Sequence, residues 1–141
     1  MDKCAFCEFR DADVVIKDYR HWTLILAESQ SVLGWTLAIL KRHILFFEEL
    51  SEEELIELRQ AVRDIKRALD KEFQPDWFNV MQLGNATKHL HVHLVPRYRQ
   101  PRRYAGRVFT DPDYGKMMVD RWNPEERAFL AELALRLRKS I

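Results

Sequence analysis

Residues 89–95 read His-Leu-His-Val-His-Leu-Val, so that three histidines stand at alternate positions with apolar residues between them. Side chains of a β-strand point alternately to the two faces of a sheet. This spacing therefore places all three imidazole rings on one face and the aliphatic chains on the other. A lone histidine is usually structural, whereas three on one face favour a chemical site. We predict a strand over residues 90–95, with His89, His91 and His93 as that site.

Two chemistries fit this face. A His-x-His pair on a strand can chelate zinc, with a third ligand from elsewhere in the chain. Alternatively, a neutral imidazole can attack phosphorus to form a covalent intermediate, while a neighbouring histidine protonates the leaving oxygen. The preceding residues 82–88 are polar and contain one glycine, and such a turn can offer N–H donors to phosphate oxygens. Beside three histidines, this turn favours a substrate that carries phosphate.

Two helices are predicted outside this region. The first spans about residues 51–73, with Ser51 as its cap and Glu54 as the capping-box partner. Its apolar stripe, at every third or fourth position, consists of Leu55, Leu58, Val62, Ile65 and Leu69. The second helix spans about residues 124–139, after a cap at Asn123.

The remaining regular segments are rich in β-branched and aromatic residues, which predicts strands. These strands are residues 14–16, 22–26, 35–40 and 77–81. Strands grouped before and after a long helix indicate an α+β domain with an antiparallel sheet. Residues 96–118 are expected to be irregular, and they carry five arginines, Arg97, Arg99, Arg102, Arg103 and Arg107. A solvated loop, a positive rim for an anionic ligand and a dimer contact all fit these arginines.

Composition narrows the class of protein. The 141 residues, 47% of them hydrophobic, suffice for one domain over residues 1–141 with one core. The 23 basic and 22 acidic residues give a net charge of +1, which provides no strong signal for a nucleic-acid partner. The longest stretch without charge, residues 29–40, is too short to cross a membrane, which takes about 20 residues. With no apolar run of signal-peptide type at the start, we expect a cytoplasmic protein without a membrane partner.

Cys4 and Cys7 form a Cys-x-x-Cys pair. In a reducing compartment a structural disulfide is not expected. Half of a metal site, two free thiols and a redox pair remain as interpretations. The redox interpretation is disfavoured because no strand–helix–strand pattern surrounds the pair.

Residues 89–95 resemble, at every position, the signature of the histidine-triad (HIT) family of nucleotide hydrolases and transferases. Two further segments carry the resemblance. Residues 40–44, Leu-Lys-Arg-His-Ile, resemble the family's Pro-Lys-x-His-Ile, and residues 4–7, Cys-Ala-Phe-Cys, resemble the Cys-x-Phe-Cys of many bacterial members. The resemblance covers about residues 4–99 and leaves the C-terminal loop and helix of residues 100–141 unmatched.

This resemblance implies a five-stranded antiparallel sheet with two main helices, and a homodimer. It implies that His91 attacks the α-phosphate of a nucleotide derivative and that water resolves the resulting nucleotidyl-histidine. His93 would contact the phosphate or the scissile bridging oxygen. Further phosphate contacts would come from Asn85, from Gln82 and from the backbone N–H of Ala86.

The resemblance to bacterial members also implies a structural zinc ion. Its ligands would be Cys4, Cys7, His43 and His89. Such a Cys₂His₂ set is closed and tetrahedral, so the ion would tie the N-terminus to the sheet rather than catalyse.

Three residues depart from the family pattern at positions where the family would contact the nucleotide or the nucleophile. Trp35 follows Gly34 where the family often has histidine, and it is expected in the core or at an interface. Ala27 stands near the place of a ribose-binding acid or amide, which Glu28 could replace. Ala86 stands where a hydroxyl residue is expected, and by analogy Ile25 or Leu26 would line a base pocket.

The function that follows is a nucleotide hydrolase or nucleotidyl transferase. The segment Pro96-Arg97-Tyr98 is similar to the bacterial and fragile-histidine-like branches, which favours dinucleoside polyphosphates as substrates. The alternatives are an adenosine phosphoramidase that cleaves P–N bonds, a zinc-stabilised nucleotide-binding module with little turnover, and a metal hydrolase built on all three histidines. Chelation of the metal would inactivate the metal hydrolase, whereas the covalent mechanism needs no catalytic metal.

Overall fold

A computed structural model describes residues 4–141. Within this range the strands are β1 (Val15–Asp18), β2 (Trp22–Leu26), β3 (Thr36–Leu40), β4 (Trp77–Met81), β5 (His91–Arg97), β6 (Arg102–Tyr104) and β7 (Arg107–Phe109). The α-helices are α1 (Glu52–Phe73) and α2 (Arg127–Ser140).

Five strands form one antiparallel sheet in the order β1-β2-β3-β5-β4, and β6 pairs with β7 in a separate hairpin. The histidine strand β5 lies inside the sheet, between β3 and β4. Its register is set from both sides, since His93 pairs with Leu37 of β3 and with Met81 of β4. The five-stranded sheet and the two helices confirm the predicted α+β architecture.

The aliphatic face of β5 packs into the core. Val92 and Leu94 are buried in the same cluster as Ile65 and Leu69 of α1 and Leu133 of α2. Helix α1 contacts β2 and β5, and α2 contacts α1, β1 and β2. Since side chains alternate along a strand, the imidazoles of β5 lie on the face opposite to the helices.

Helix α1 begins as the sequence predicts. The Ser51 hydroxyl accepts a hydrogen bond from the Glu54 N–H, and the Glu54 carboxylate accepts one from the Ser51 N–H. The Arg42 guanidinium also donates to Glu54, and this contact, with help from Ser51, lowers the pKa of Glu54 to about 2. The predicted apolar stripe is wrong at Leu55, which is exposed, because Glu54 takes the buried position in the first turn. Within residues 4–141, neither helix combines the length and the hydropathy needed to cross a membrane.

Helix α2 begins at Arg127, three residues later than predicted, and Asn123 is not its cap. Asn123 instead pairs with the loop after β2, where its N–H donates to Ser29 Oγ and its side-chain amide donates to the Gln30 carbonyl. The next residue, Pro124, forms a β-bridge with Ser29. This long-range pairing holds the segment extended and delays the helix.

The segment 96–118 is more regular than predicted, because it contains the β6–β7 hairpin. Arg97 is a buried structural residue, 3% exposed. It makes a bidentate pair with Asp111, at 2.7 and 3.1 Å, and donates to Asn79 Oδ1 at 2.9 Å. Arg102 donates to the carbonyls of Phe73 and Gln74. These two arginines therefore hold the segment against the sheet and α1 and belong to neither a solvated loop nor a positive rim.

Gly34, which leads into β3, has a φ of +89°. A methyl group added there would lie 2.6 Å from Cδ2 of Leu69 and 3.2 Å from Cγ of Pro96. Gly106 also has a positive φ, +74°, but an added methyl group would meet nothing within 4 Å. A substitution at Gly106 therefore adds backbone strain alone, whereas a substitution at Gly34 adds both backbone strain and a steric clash.

We expect Gly34→Ala to lower the free energy of unfolding by about 2–4 kcal/mol, because overpacking adds to left-handed strain. The matched control Gly106→Ala should lose only the strain, about 1–2 kcal/mol. Urea denaturation of both variants measures the difference. Equal losses in the two variants would contradict the crowding at Gly34.

Candidate functional site

Strand β5 presents its histidines as the spacing predicts. The ring centroids of His91 and His93 lie 5.1 Å apart. His91 is 6% exposed and His93 is half-buried. His89 lies in the connection just before the strand, and the ring of Phe6 makes edge contacts with both His89 and His91 at centroid distances of 5.9 and 4.8 Å. The three histidines thus form one continuous site.

The tautomer of His91 follows from its hydrogen bond. Its Nδ1 lies 2.7 Å from the backbone carbonyl oxygen of His89. A carbonyl oxygen only accepts hydrogen bonds, so Nδ1 carries the proton. In the neutral ring, Nε2 then has a free lone pair and can act as a nucleophile.

His93 is held in the complementary tautomer. The indole Nε1 of Trp35 lies 3.2 Å from Nδ1 of His93. Indole N–H only donates, so Nδ1 accepts and the proton of the neutral ring lies on Nε2. Burial, followed by the nearby His91, lowers the pKa of His93 to about 4. At pH 7, His93 is therefore a neutral ring that offers an N–H donor.

The four predicted metal ligands lie together. Their donor atoms, in Cys4, Cys7, His43 and His89, are all within 4.8 Å of one another. Nδ1 of His89 is 3.3 Å from Cys4 Sγ, 3.4 Å from Cys7 Sγ and 3.1 Å from Nδ1 of His43. Zinc bonds of about 2.0–2.3 Å in a tetrahedron place donor atoms about 3.3–3.8 Å apart. The spacing of the donors around His89 therefore suits such an ion.

A hydrogen bond at Nε2 of His89 leaves its other ring nitrogen, Nδ1, available to a metal. Nε2 lies 2.6 Å from the carbonyl oxygen of Leu40, to which it donates. The lone pair is thereby left on Nδ1, the nitrogen that faces the two cysteines, as is usual for metal-binding histidines. Burial lowers the pKa of His89, which favours the neutral, ligating form.

A cavity of about 590 Å³ lies beside the histidines. Its apolar wall comprises Phe6, Phe9, Val14, Ile25, Leu26, Leu37 and Leu130. Four charged residues also line it: Asp11, Glu28, Glu125 and Arg127. Leu37 pairs with His93 across the strands, so the wall continues into the histidine face of the sheet. The volume and the mostly apolar lining suit a small organic ligand.

The predicted phosphate contacts lie in the connection between β4 and β5. Met81, the last residue of β4, pairs with His93, so the chain enters this connection beside the triad. Gln82 is half-buried, whereas Asn85 and Ala86 are exposed. The structure thus places all three in the loop next to the triad.

Two residues of the site were not assigned a role from the sequence. In the sequence, Phe6 lies between Cys4 and Cys7. This position beside two predicted metal ligands is a signal that could have placed it near His89. Trp35 was expected in the core or at an interface, and it is buried, but its contact with His93 depends on the register of β3 against β5. The available signal was its position, where related sequences often have histidine.

Comparisons with known proteins agree with this geometry. A family model described as "HIT domain" matches residues 9–100. Protein hit of Bacillus subtilis is 31% identical to this chain over 105 residues, which are 69% of this chain and 72% of that protein.

Two solved structures share the fold. One is described as a hypothetical histidine triad nucleotide-binding protein from Sulfolobus tokodaii, with a TM-score of 0.73, 23% identity, and coverage of 97% of this chain and 91% of the other. The second is a zinc-bound histidine triad family protein from Mycobacterium smegmatis, with a TM-score of 0.63, 19% identity, and coverage of 89% and 84%. With the HIT domain matched over 9–100, a triad at the start of an internal strand and a relative at 31% identity, the chain belongs to the HIT family.

Proposed function

We propose that this protein is a nucleotide hydrolase or nucleotidyl transferase that attacks the α-phosphate of a dinucleoside polyphosphate through His91. The observation that carries the proposal is the hydrogen bond from His91 Nδ1 to the His89 carbonyl, because it leaves Nε2 unprotonated. Membership in the HIT family supports a nucleotide-directed function of hydrolase type.

In the first step, His91 Nε2 forms a bond to phosphorus, and the bond from phosphorus to the bridging oxygen breaks. The remaining polyphosphate leaves as an anion and accepts a hydrogen bond from Nε2–H of His93. The nucleotidyl-imidazole on His91 is positively charged, and the His89 carbonyl stabilises it through Nδ1–H. Water then attacks phosphorus, His91 departs as neutral imidazole, and the proton of the water passes to solvent.

The remaining parts of the site would bind the nucleotide. The cavity beside the triad would hold the base between Phe6 and the aliphatic residues Ile25 and Leu26. Glu28 lines the same cavity and can accept hydrogen bonds from ribose hydroxyls, in place of an acid or amide near Ala27. Donors of the loop that contains Gln82, Asn85 and Ala86 would contact the phosphates.

The metal in this proposal is Zn²⁺, held by Cys4, Cys7, His43 and His89. With four protein ligands the ion would have no open coordination position, and when bound it would supply fold stability rather than an activated water. Phe6 lies between the two cysteine ligands and packs against His91, so the ion would also hold one wall of the cavity against the nucleophile. A zinc-bound family member from Mycobacterium smegmatis is consistent with this assignment.

The protein is also proposed to be a homodimer. Strand β4 is an edge of the sheet, and its Trp77 and Val80 are 65% and 53% exposed. An open strand edge with exposed apolar side chains can pair with a second chain, which would cover them.

His91→Ala should reduce AMP release from diadenosine tetraphosphate by more than about 10⁴-fold, because the covalent route is lost. Adenosine phosphoramidate is assayed in parallel, and the ratio of the two rates identifies the preferred bond. His21→Gln, a histidine outside the site, is the matched control and should keep full activity. If His91→Ala stays active, the mechanism is wrong. If the wild-type protein binds AMP but turns over neither substrate, a nucleotide-binding module is favoured.

Elemental analysis of purified protein should find about one zinc ion per chain in wild type and in His91→Ala, since His91 is not a ligand. His43→Asn should lose the ion, and its Tm should fall by at least about 10 °C, because metal binding stabilises the folded state. Zinc retained in His43→Asn, or lost in His91→Ala, would contradict the ligand set.

A further inference from the structure

Trp35 holds His93 from a rigid position. The indole is 7% exposed, and its ring lies 5.7 Å from the imidazole, centroid to centroid. The backbone of Trp35 is bonded on both sides: its N–H donates to Val32, and its carbonyl accepts from the Ala27 N–H at 3.0 Å and from Gln30 Nε2 at 2.9 Å. The indole N–H therefore stays directed at Nδ1 of His93.

This contact opposes a second proton on His93. An imidazolium carries protons on both nitrogens, so its Nδ1–H would face the indole N–H, donor against donor. A buried donor left without an acceptor destabilises the doubly protonated form. The His91 ring also disfavours a charged His93, whereas the carboxylate of Asp120 favours it. Burial and His91 prevail over Asp120, and the pKa of His93 is about 4.

The two candidate substrates make different demands on His93. When a phosphoanhydride bond breaks, the leaving polyphosphate is a stable anion and needs only a hydrogen bond. When a P–N bond breaks, the leaving nitrogen must gain a proton to depart as an amine. A neutral His93 can donate a hydrogen bond from Nε2, but giving up that proton would leave an imidazolate. It therefore suits the first reaction and is a poor acid for the second.

We propose that Trp35 makes this site selective for phosphoanhydrides over phosphoramidates, by holding His93 as a hydrogen-bond donor that does not take up a second proton. Trp35 is thus a positioning residue that acts on the substrate through His93. The inference rests on the proposed nucleotidyl transfer through His91, and it adds the bond type to that function.

The first test is ¹⁵N NMR of the zinc-loaded chain labelled at histidine, which reads the tautomer without any turnover. Wild-type His93 should carry its proton on Nε2 and stay neutral from about pH 5 to pH 8. In Trp35→Phe, Nδ1–H should become populated and the pKa of His93 should rise, while staying below its ordinary value of about 6.5 because burial and His91 still lower it. Nδ1–H in wild type, or no change in Trp35→Phe, would overturn the proposal.

The second test compares kcat/KM for diadenosine tetraphosphate and adenosine phosphoramidate. The ratio should fall at least about tenfold in Trp35→Phe, and also in Trp35→His, whose ring nitrogens can accept as well as donate. Trp22→Phe is the matched control: it loses a buried indole bond to the Glu54 carbonyl, away from the triad, and should keep the wild-type ratio.

Zinc content and Tm show whether each variant is folded. A folded Trp35→Phe and Trp35→His with unchanged ratios would refute the selectivity. If the wild type turns over neither substrate, the proposed function fails and the selectivity fails with it. In that case the NMR measurement still shows whether Trp35 fixes the tautomer of His93, so an error in the tautomer can be told from an error in the reaction.

Discussion

The site depends on hydrogen bonds in which one partner can only donate or only accept, so the direction of each bond is fixed. Each triad histidine has one ring nitrogen against a group that only accepts or only donates: the Leu40 carbonyl for His89, the His89 carbonyl for His91 and the Trp35 indole for His93. Three chemically identical side chains are thereby left with different free nitrogens. One can bind a metal, one can attack phosphorus and one can donate to an oxygen. Because two of the three partners are backbone carbonyls, the division of roles is built into the fold.

The sheet and the metal ligands maintain these contacts. Strand β5 lies between two neighbours, so a register slip would move the imidazoles to the core face. At the N-terminal side, Phe6 lies between two candidate ligands and packs against His91, which links the metal cluster to the nucleophile. Loss of the metal should thus loosen both the fold and one wall of the cavity, and the two effects share one cause.

Local patterns in the sequence predicted most of this architecture. Alternation identified the histidine strand and its face, and the Ser51–Glu54 capping box identified the start of α1, because both signals lie within a few residues. Features set by distant pairing were missed. Asn123 looks like a helix cap but bonds the loop after β2, and the role of Trp35 depends on how β3 aligns with β5. The ligand set could be proposed by resemblance, whereas its convergence required coordinates.

The role of His91 is tested by finding which atom becomes covalently attached to the nucleotide. The zinc-loaded protein would be mixed with diadenosine tetraphosphate for less than one turnover and quenched in denaturant at high pH, where phosphoramidates survive. Peptide fragmentation would then locate the adduct, and NMR of the quenched peptide would identify the nitrogen. We predict a nucleotidyl group on Nε2 of His91. A nucleotidyl group on His93 or on Nδ1 of His91, or turnover with no adduct at any time, would contradict it.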